Sequence, residues 1–280
     1  MSREPLTPTD VRRLLDRHGL APRKSSGQNF VVDPNTVRRI VEASGVGPDD
    51  TVLEIGPGLG SLTIPLLDAA RRVVAIEVDA GLVRVLEELL GDEPGFSLVH
   101  ADAMRIDLAA AVDGGPAKLV ANLPYNVATP LVMQALEAGP AITEQYVMVQ
   151  REVGERWSAR VGQPLYSAVS VKVALTAEAA VDLQVPRSVF HPVPNVDSVM
   201  VRIRRRDDAP SAEVRSRLAA VVDTAFAQRR KTLRNTLRAL APAELLADAF
   251  ASAGIDPGAR AETLTPEDFV RLTAALDAEA

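Results

Sequence analysis

The chain has 280 residues, 47% hydrophobic and 24% charged, a globular composition long enough for two domains, and a net charge of −6 that argues against a uniformly basic surface. No apolar run approaches the roughly 18 residues of a membrane helix and no signal-peptide core opens the chain, so an intracellular, cytoplasmic protein away from membranes is expected. The absence of cysteine excludes disulfides, thiolate metal sites and a cysteine nucleophile, and the three scattered histidines (His18, His100, His191) suggest neither a metal centre nor a hydrolytic triad.

Thr7 and Pro8 open a helix whose Val11, Leu14 and Leu15 form an apolar stripe ending at Gly19. A loop over 21–30 follows. Asp33 and Pro34 then start a second helix that stops near Gly45. From there strands at 51–55, 73–77, 96–99, 118–121 and 145–149 alternate with helices, one ending at Leu67, one over 82–90 and one over 130–136. Short apolar strands alternating with helices predict an α/β fold: a parallel, Rossmann-like sheet with helices on both faces. Segments 179–185 and 196–203, joined by a Pro-rich turn, predict an antiparallel edge pair. Asp207-Asp208-Ala209-Pro210 reads as a linker, and helical periodicity follows around 218–226, 233–240, 245–250 and 269–276. Two domains are therefore expected, 1–206 as the α/β unit with an N-terminal helical extension and 207–280 as a small all-α unit.

Charge distribution says more than net charge. Arg229, Arg230, Lys231, Arg234 and Arg238 fall within ten residues that contain no acid. Four of the five residues from Arg202 to Arg206 are arginine, and a third cluster holds Arg12, Arg13, Arg17, Arg23 and Lys24. Any one cluster is ordinarily a solvated face. Three on an acidic chain point to a local phosphate-binding surface, and arginine suits bidentate phosphate recognition.

Chemistry concentrates at the strand ends. Glu54-Ile55-Gly56-Pro57-Gly58-Leu59-Gly60 follows the first strand of the alternation, where glycines such as Gly56 and Gly58 let backbone approach a ligand. Glu77 ends the next strand, where a carboxylate can hold ribose hydroxyls. The pattern fits a dinucleotide or S-adenosylmethionine. Ser61 stands where the dinucleotide pattern wants glycine, and Glu54 suits a sulfonium and ammonium ligand better than a pyrophosphate. Asp102 follows the third strand; alone it reads as a cap, but as the third acid at successive strand ends it suits an adenine amine.

Asn122-Leu123-Pro124-Tyr125 comes directly after the fourth strand. An exocyclic amine is a poor nucleophile until its nitrogen pyramidalises. The Asn122 carboxamide oxygen and a backbone carbonyl at Leu123 or Pro124 can each accept one N–H, freeing the lone pair. Tyr125 offers a face on which a base can stack.

With these motifs the chain resembles the ribosomal RNA adenine N6,N6-dimethyltransferase family. The resemblance also rests on Gly27-Gln28-Asn29-Phe30, on Val189-Phe190-His191-Pro192-Val193-Pro194-Asn195-Val196-Asp197-Ser198 and on the segment from Ala225 to Leu233. It implies S-adenosylmethionine as donor, no metal, and donor contacts from Asn29, Val31, Gly56, Gly58, Glu77, Asp102 and Asn122. It implies adenine contacts from Asn122, Leu123, Pro124, Tyr125 and Phe190, with Phe190 stacking opposite Tyr125. Without the resemblance, Phe190 reads equally well as a core residue.

The implied substrate is a pair of adjacent adenines near the 3′ end of small-subunit (16S) ribosomal RNA, with the small ribosomal subunit as partner and the chain acting as a monomer. Arg229, Arg230, Lys231, Arg234 and Arg238 would contact RNA. Val31 replaces the family's usual leucine, and Asn195 replaces its usual lysine. Three rival readings are a macrolide-resistance-type methylase of large-subunit (23S) RNA, a non-catalytic ribosome-assembly factor and a nicotinamide oxidoreductase.

Overall fold

The strand Thr51–Ile55 is buried along its whole length, as expected of a central parallel strand covered on both faces. The computed structural model describes residues 4–22 and 28–278. Arg23, Lys24 and Gly27 of the sequence motifs lie outside the described residues.

The chain opens with helix α1 (Pro8–Arg17), where Thr7 and Asp10 form a reciprocal capping box. Strand β1 (Phe30–Val31) follows. Helix α2 (Pro34–Ser44) is capped by Asp33, which accepts the Thr36 N–H at 2.8 Å, and is stopped by Gly45 in the left-handed conformation. The alternating region then runs β2 (Thr51–Ile55), α3 (Thr63–Ala69), β3 (Arg72–Glu77), α4 (Ala80–Leu90), β4 (Phe96–His100), the short α5 (Leu108–Ala111), β5 (Ala117–Asn122), α6 (Ala128–Glu137) and β6 (Ile142–Gln150). After α7 (Arg151–Trp157) and α8 (Ala168–Ala174) come β7 (Ala177–Val185), β8 (Phe190–His191) and β9 (Ser198–Arg205). The chain closes with α9 (Ala212–Phe226), α10 (Leu233–Thr236), α11 (Ala243–Ala253) and α12 (Pro266–Ala278).

The seven-stranded sheet has the order β4-β3-β2-β5-β6-β9-β7. Strands β4 through β6 pair in parallel, and β9 runs antiparallel to β6. The chain builds outward from β2 to β4, then returns to place β5 on the other side of β2. That reversal opens a crevice at the carboxyl ends of β2 and β5, where open α/β sheets bind ligands. Helices α2 and α3, with Leu62 at the N-cap of α3, set Val37, Ile40, Val41, Leu62 and Leu66 against Val52, Val73, Val120, Tyr146 and Met148 of the sheet. Helix α1 contributes Val11, Leu14 and Leu15 to a cluster with Phe30, Leu59 and Leu82.

One expectation needs correction. The chain divides into one unit of 1–154 plus 180–204 and a second of 155–179 plus 205–280, so the second unit is not a simple C-terminal segment. The reason is packing: Tyr166 and Val171 join the same buried cluster as Leu218, Val222, Phe250 and Phe269, and the Tyr166 hydroxyl donates to the Leu264 carbonyl at 2.8 Å. The pair expected at the sheet edge is present, with β7 outermost and β9 between it and β6. The chain between β7 and β9 also supplies β8, which pairs with β1 in a separate two-stranded sheet.

Candidate active site

The crevice at the strand ends holds a cavity of about 370 Å³. Its wall includes Asn29, Val31, Gly56, Gly58, Glu77, Asp102, Asn122 and Pro124, which four separate strand ends and the β1 segment bring together.

The glycine turn after β2 depends on backbone that side chains rarely adopt. Gly56 and Gly58 have φ of +69° and +63°. A Cβ at Gly58 would lie 2.9 Å from the Phe30 ring, so this glycine makes room for Phe30 as well as for a ligand. Its N–H donates to Glu77 Oε2 at 3.2 Å, and Glu77 Oε1 accepts the Val78 and Asp79 N–H groups, each at 2.9 Å. Glu77 is thereby fixed at the end of β3 with a buried carboxylate. Burial raises its pKa, and the three backbone donors oppose that rise.

Glu54 is more isolated. It is 1% exposed, and its Oε2 has no hydrogen-bond partner. Burial pushes its carboxyl up to about 8; the Thr63 hydroxyl beside it pulls the other way, and the charge of Glu77 adds to the rise. The hydroxyls of Ser61 and Thr63 are likewise buried without partners. Glu54 and Ser61 both line the cavity. Orphaned buried polar atoms cost stability, so those of Glu54 and Ser61 on the cavity wall suit a polar ligand that would complete them. In the sequence Ser61 counted only as the residue standing where the dinucleotide pattern wants glycine, and Thr63 carried no signal, because their burial beside Glu54 follows from the fold.

Asp102 does two things. It caps the short turn Ala103–Arg105 by accepting the Met104 N–H at 3.0 Å, and it borders the cavity with Met104. Val78 and Met104 are exposed apolar side chains on the same wall, 64% and 39% accessible. Val31 spends its side chain in the core at 2% exposure.

Asn122 ends β5, and its Nδ2 donates to the Asn29 carbonyl at 2.9 Å. Because a carbonyl only accepts, this contact fixes which end of the carboxamide is nitrogen and leaves the Oδ1 acceptor to another partner. The Pro124 carbonyl accepts the Val127 N–H at 3.2 Å, whereas no such bond to the Leu123 carbonyl occurs among the described residues. The Leu123 side chain is buried. The Tyr125 hydroxyl shares a hydrogen bond of 2.8 Å with Ser198 Oγ, and burial raises its pKa against the pull of that bond. Phe190 is 2% exposed, pairs with Val31 and packs among Val31, Tyr146 and Met200. Its ring is a core element here, with no open face for a base. Tyr125, Leu123 and Phe190 do not line the cavity that Asn122 and Pro124 border.

The basic clusters separate sharply. Arg202 pairs with Glu144 and Asp182, Arg204 with Glu144 and Arg206 with Asp208, so that cluster is largely neutralised at home. In the N-terminal cluster Arg13 pairs with Asp10 and Arg17 with Glu88. Arg229, Arg230, Lys231, Arg234 and Arg238 are all exposed, and none pairs with an acid among the described residues.

No group of three or more potential metal ligands occurs among the described residues, and no helix among them is long and apolar enough to cross a membrane.

Comparison with known proteins gives a consistent picture. Residues 19–278 match the family described as ribosomal RNA adenine dimethylase. The chain is 50% identical over 273 residues to ribosomal RNA small subunit methyltransferase A of Thermobifida fusca (strain YX), covering 95% of this chain and 94% of that one. It is 46% identical to the protein of the same name from Streptomyces avermitilis, covering 95% and 92%. Among solved structures, a dimethyladenosine transferase from Plasmodium falciparum superposes with a TM-score of 0.76 at 24% identity, over 89% of this chain and 98% of that one. The 23S rRNA methyltransferase ErmE superposes at 0.66 with 30% identity, over 89% and 99%.

Proposed function

The chain belongs to the ribosomal RNA adenine dimethylase family, and we propose from that premise that it dimethylates two adjacent adenines near the 3′ end of small-subunit ribosomal RNA. It is an rRNA adenine dimethyltransferase that uses S-adenosylmethionine as methyl donor. The observation that carries the finer reading is the meeting of Glu54, Glu77, Asp102 and Asn122 around one cavity at the sheet's reversal point.

The cavity suits the donor. When bound, S-adenosylmethionine supplies a methyl group on a positively charged sulfur. Glu77 would hold the ribose hydroxyls. Three of a carboxylate's roughly four acceptor sites are filled by backbone, so a diol must share Oε1 or exchange with the Gly58 N–H, the longest of the three bonds. Asp102 would take the adenine amine, beside Val78 and Met104. Asn29, Val31, Gly56 and Gly58 would contact the donor largely through backbone, since the Val31 side chain is committed to the core. The unpartnered Glu54 Oε2 offers an acceptor for a cation.

On the acceptor side, Asn122 Oδ1 and one backbone carbonyl would take the two N6 hydrogens of the target. The existing Val127 N–H bond to the Pro124 carbonyl favours Leu123 as that carbonyl. Pro124 stiffens the turn, and Tyr125 would stack on the base. Phe190 would support the site from the core, and presenting its ring to the base would require it to open. Positioning supplies most of the rate in such a transfer, because the amine needs orientation rather than a matched base.

Arg229, Arg230, Lys231, Arg234 and Arg238 would contact RNA phosphates, a role supported by their exposure and lack of acidic partners. The small ribosomal subunit is the partner in this reading, which sets the reaction in the cytoplasm. One chain carries every residue named for both ligands, which supports a monomer. The large-subunit rival draws support from the likeness to ErmE, but identity to the small-subunit enzymes is higher. Mass mapping of methylated nucleotides in ribosomal RNA from cells with and without this protein tests the proposal. Loss of dimethyladenosine from small-subunit RNA is expected. Loss from large-subunit RNA instead would support the rival.

A further inference from the structure

The chain between β8 and β9 presents apolar side chains to solvent. Val193 is 60% exposed and Val196 45% exposed. Isolated exposed valines are ordinary, but these two sit on one short loop that is firmly braced. Asp197 Oδ1 accepts the Arg187 N–H at 3.0 Å, and Oδ2 pairs with Arg151 Nη2 at 3.0 Å. The Asp197 carbonyl accepts the Arg151 N–H at 3.1 Å, and Arg187 Nη1 donates to the Asn195 carbonyl at 3.3 Å. Pro192 and Pro194 fix two further backbone angles. The loop has little freedom left to lose on binding, and it holds out two side chains that are themselves stiff at χ1.

Both ends of the loop lead into the acceptor side of the site. Phe190 lies just before it, and Ser198, bonded to Tyr125, lies just after it. A base that enters a methyltransferase site must leave its stack, exposing the faces of its neighbours. Apolar side chains placed between base steps offset that loss.

We propose that Val193 and Val196 form a rigid apolar wedge that enters the RNA stack beside the target adenine and covers the neighbouring base once the target has turned out. This rests on the reading of residues 122–125 as the adenine site. The partner surface is an unstacked RNA step, because the loop is continuous with that site.

The test uses the full chain carrying Val193→Ser with Val196→Ser, and a conservative pair, Val193→Ile with Val196→Ile. The substrate is unmethylated small subunits reconstituted with a synthetic 3′ RNA segment. In one version the nucleotide beside the target is intact, and in the other it is abasic. On the intact version the serine pair should lose about tenfold or more in kcat/KM, while the isoleucine pair stays near wild type. Donor affinity by calorimetry should match wild type in both. On the abasic version, where there is no neighbouring base to cover, the serine pair and wild type should converge. A serine pair within about twofold of wild type on the intact version would overturn the wedge. So would an equal loss on both versions, which would indicate docking onto a ribosomal protein or a structural role, and so would a fall in donor affinity. If wild type itself transfers no methyl group to small-subunit RNA, the function reading fails, and the wedge with it.

Discussion

The Asn122 side-chain amide donates to the Asn29 main-chain carbonyl at 2.9 Å, joining residues 93 positions apart on the wall of the cavity. The contact leaves one defined end of the carboxamide, its oxygen, to orient an amine. Asn122→Ala is therefore expected to remove most of the turnover and part of the donor affinity. Single-turnover methyl transfer at saturating donor measures it. Near-normal turnover would mean that another group orients the amine.

Glu77 accepts three backbone N–H groups and, in the proposed function, also holds the donor's ribose. Glu77→Ala is expected to weaken donor binding by about 1.5–3 kcal/mol through loss of a charged acceptor. It also removes the acceptor of three backbone N–H groups, so some loss of stability accompanies it. Glu77→Gln keeps an acceptor for part of that set and should melt closer to wild type while still binding the donor poorly. Calorimetry and thermal melts separate the two effects. Unchanged donor affinity in both variants would remove Glu77 from the site.

Glu54 gives a pH prediction with a definite sign. Burial pushes its carboxyl up to about 8, against 4.5 ordinarily. Between those values the folded chain keeps a proton that the unfolded chain releases, so the fold loses stability as pH rises through that window, by up to a few kcal/mol. Glu54→Gln removes the titration. The stability of the variant relative to wild type should grow from pH 5 to pH 8 in urea unfolding of the ligand-free protein. A constant difference across that range would contradict the assignment.

The five unpaired cations of the second unit make an electrostatic prediction. Charge reversal at Arg230 and Arg234 should weaken RNA binding and flatten its salt dependence, each lost phosphate contact removing about 0.7–0.9 from the log–log slope. Reversal at Arg202, whose charge is matched by Glu144 and Asp182, should move the slope less. Donor binding should not change in either case. An unmoved slope at Arg230 and Arg234 would make them a solvated face.

Much of this was legible in the sequence because the signals are local. Thr7 with Pro8, Asp33 with Pro34, and Gly45 marked helix ends through their own backbone chemistry, and short apolar strands marked the parallel sheet. The strand-end acids were legible because parallel topology sends every carboxyl end to one edge. What stayed hidden depends on partners distant in sequence. Arg202 reads as a free cation until Glu144 and Asp182 fold beside it. Phe190 reads equally as a stacking ring or a core ring until β8 pairs with β1. Residues 155–179 carry no mark of belonging with the C-terminal helices, since that follows from the packing of Tyr166 and Val171. Gly58 announces close approach but not that Phe30 is what approaches.

This fold dimethylates adenines of small-subunit ribosomal RNA. A negative net charge makes tight binding to short naked RNA unfavourable, whereas an assembled subunit offers shape and several phosphates together. The most direct measurement is transfer from labelled S-adenosylmethionine into unmethylated small subunits, followed by digestion and identification of the nucleosides by mass. N6,N6-dimethyladenosine is expected in a neighbouring pair of adenines, with little label in free oligonucleotides, DNA or large subunits. Label confined to large-subunit RNA, or small subunits bound with donor in place but no methyl transferred, would contradict it.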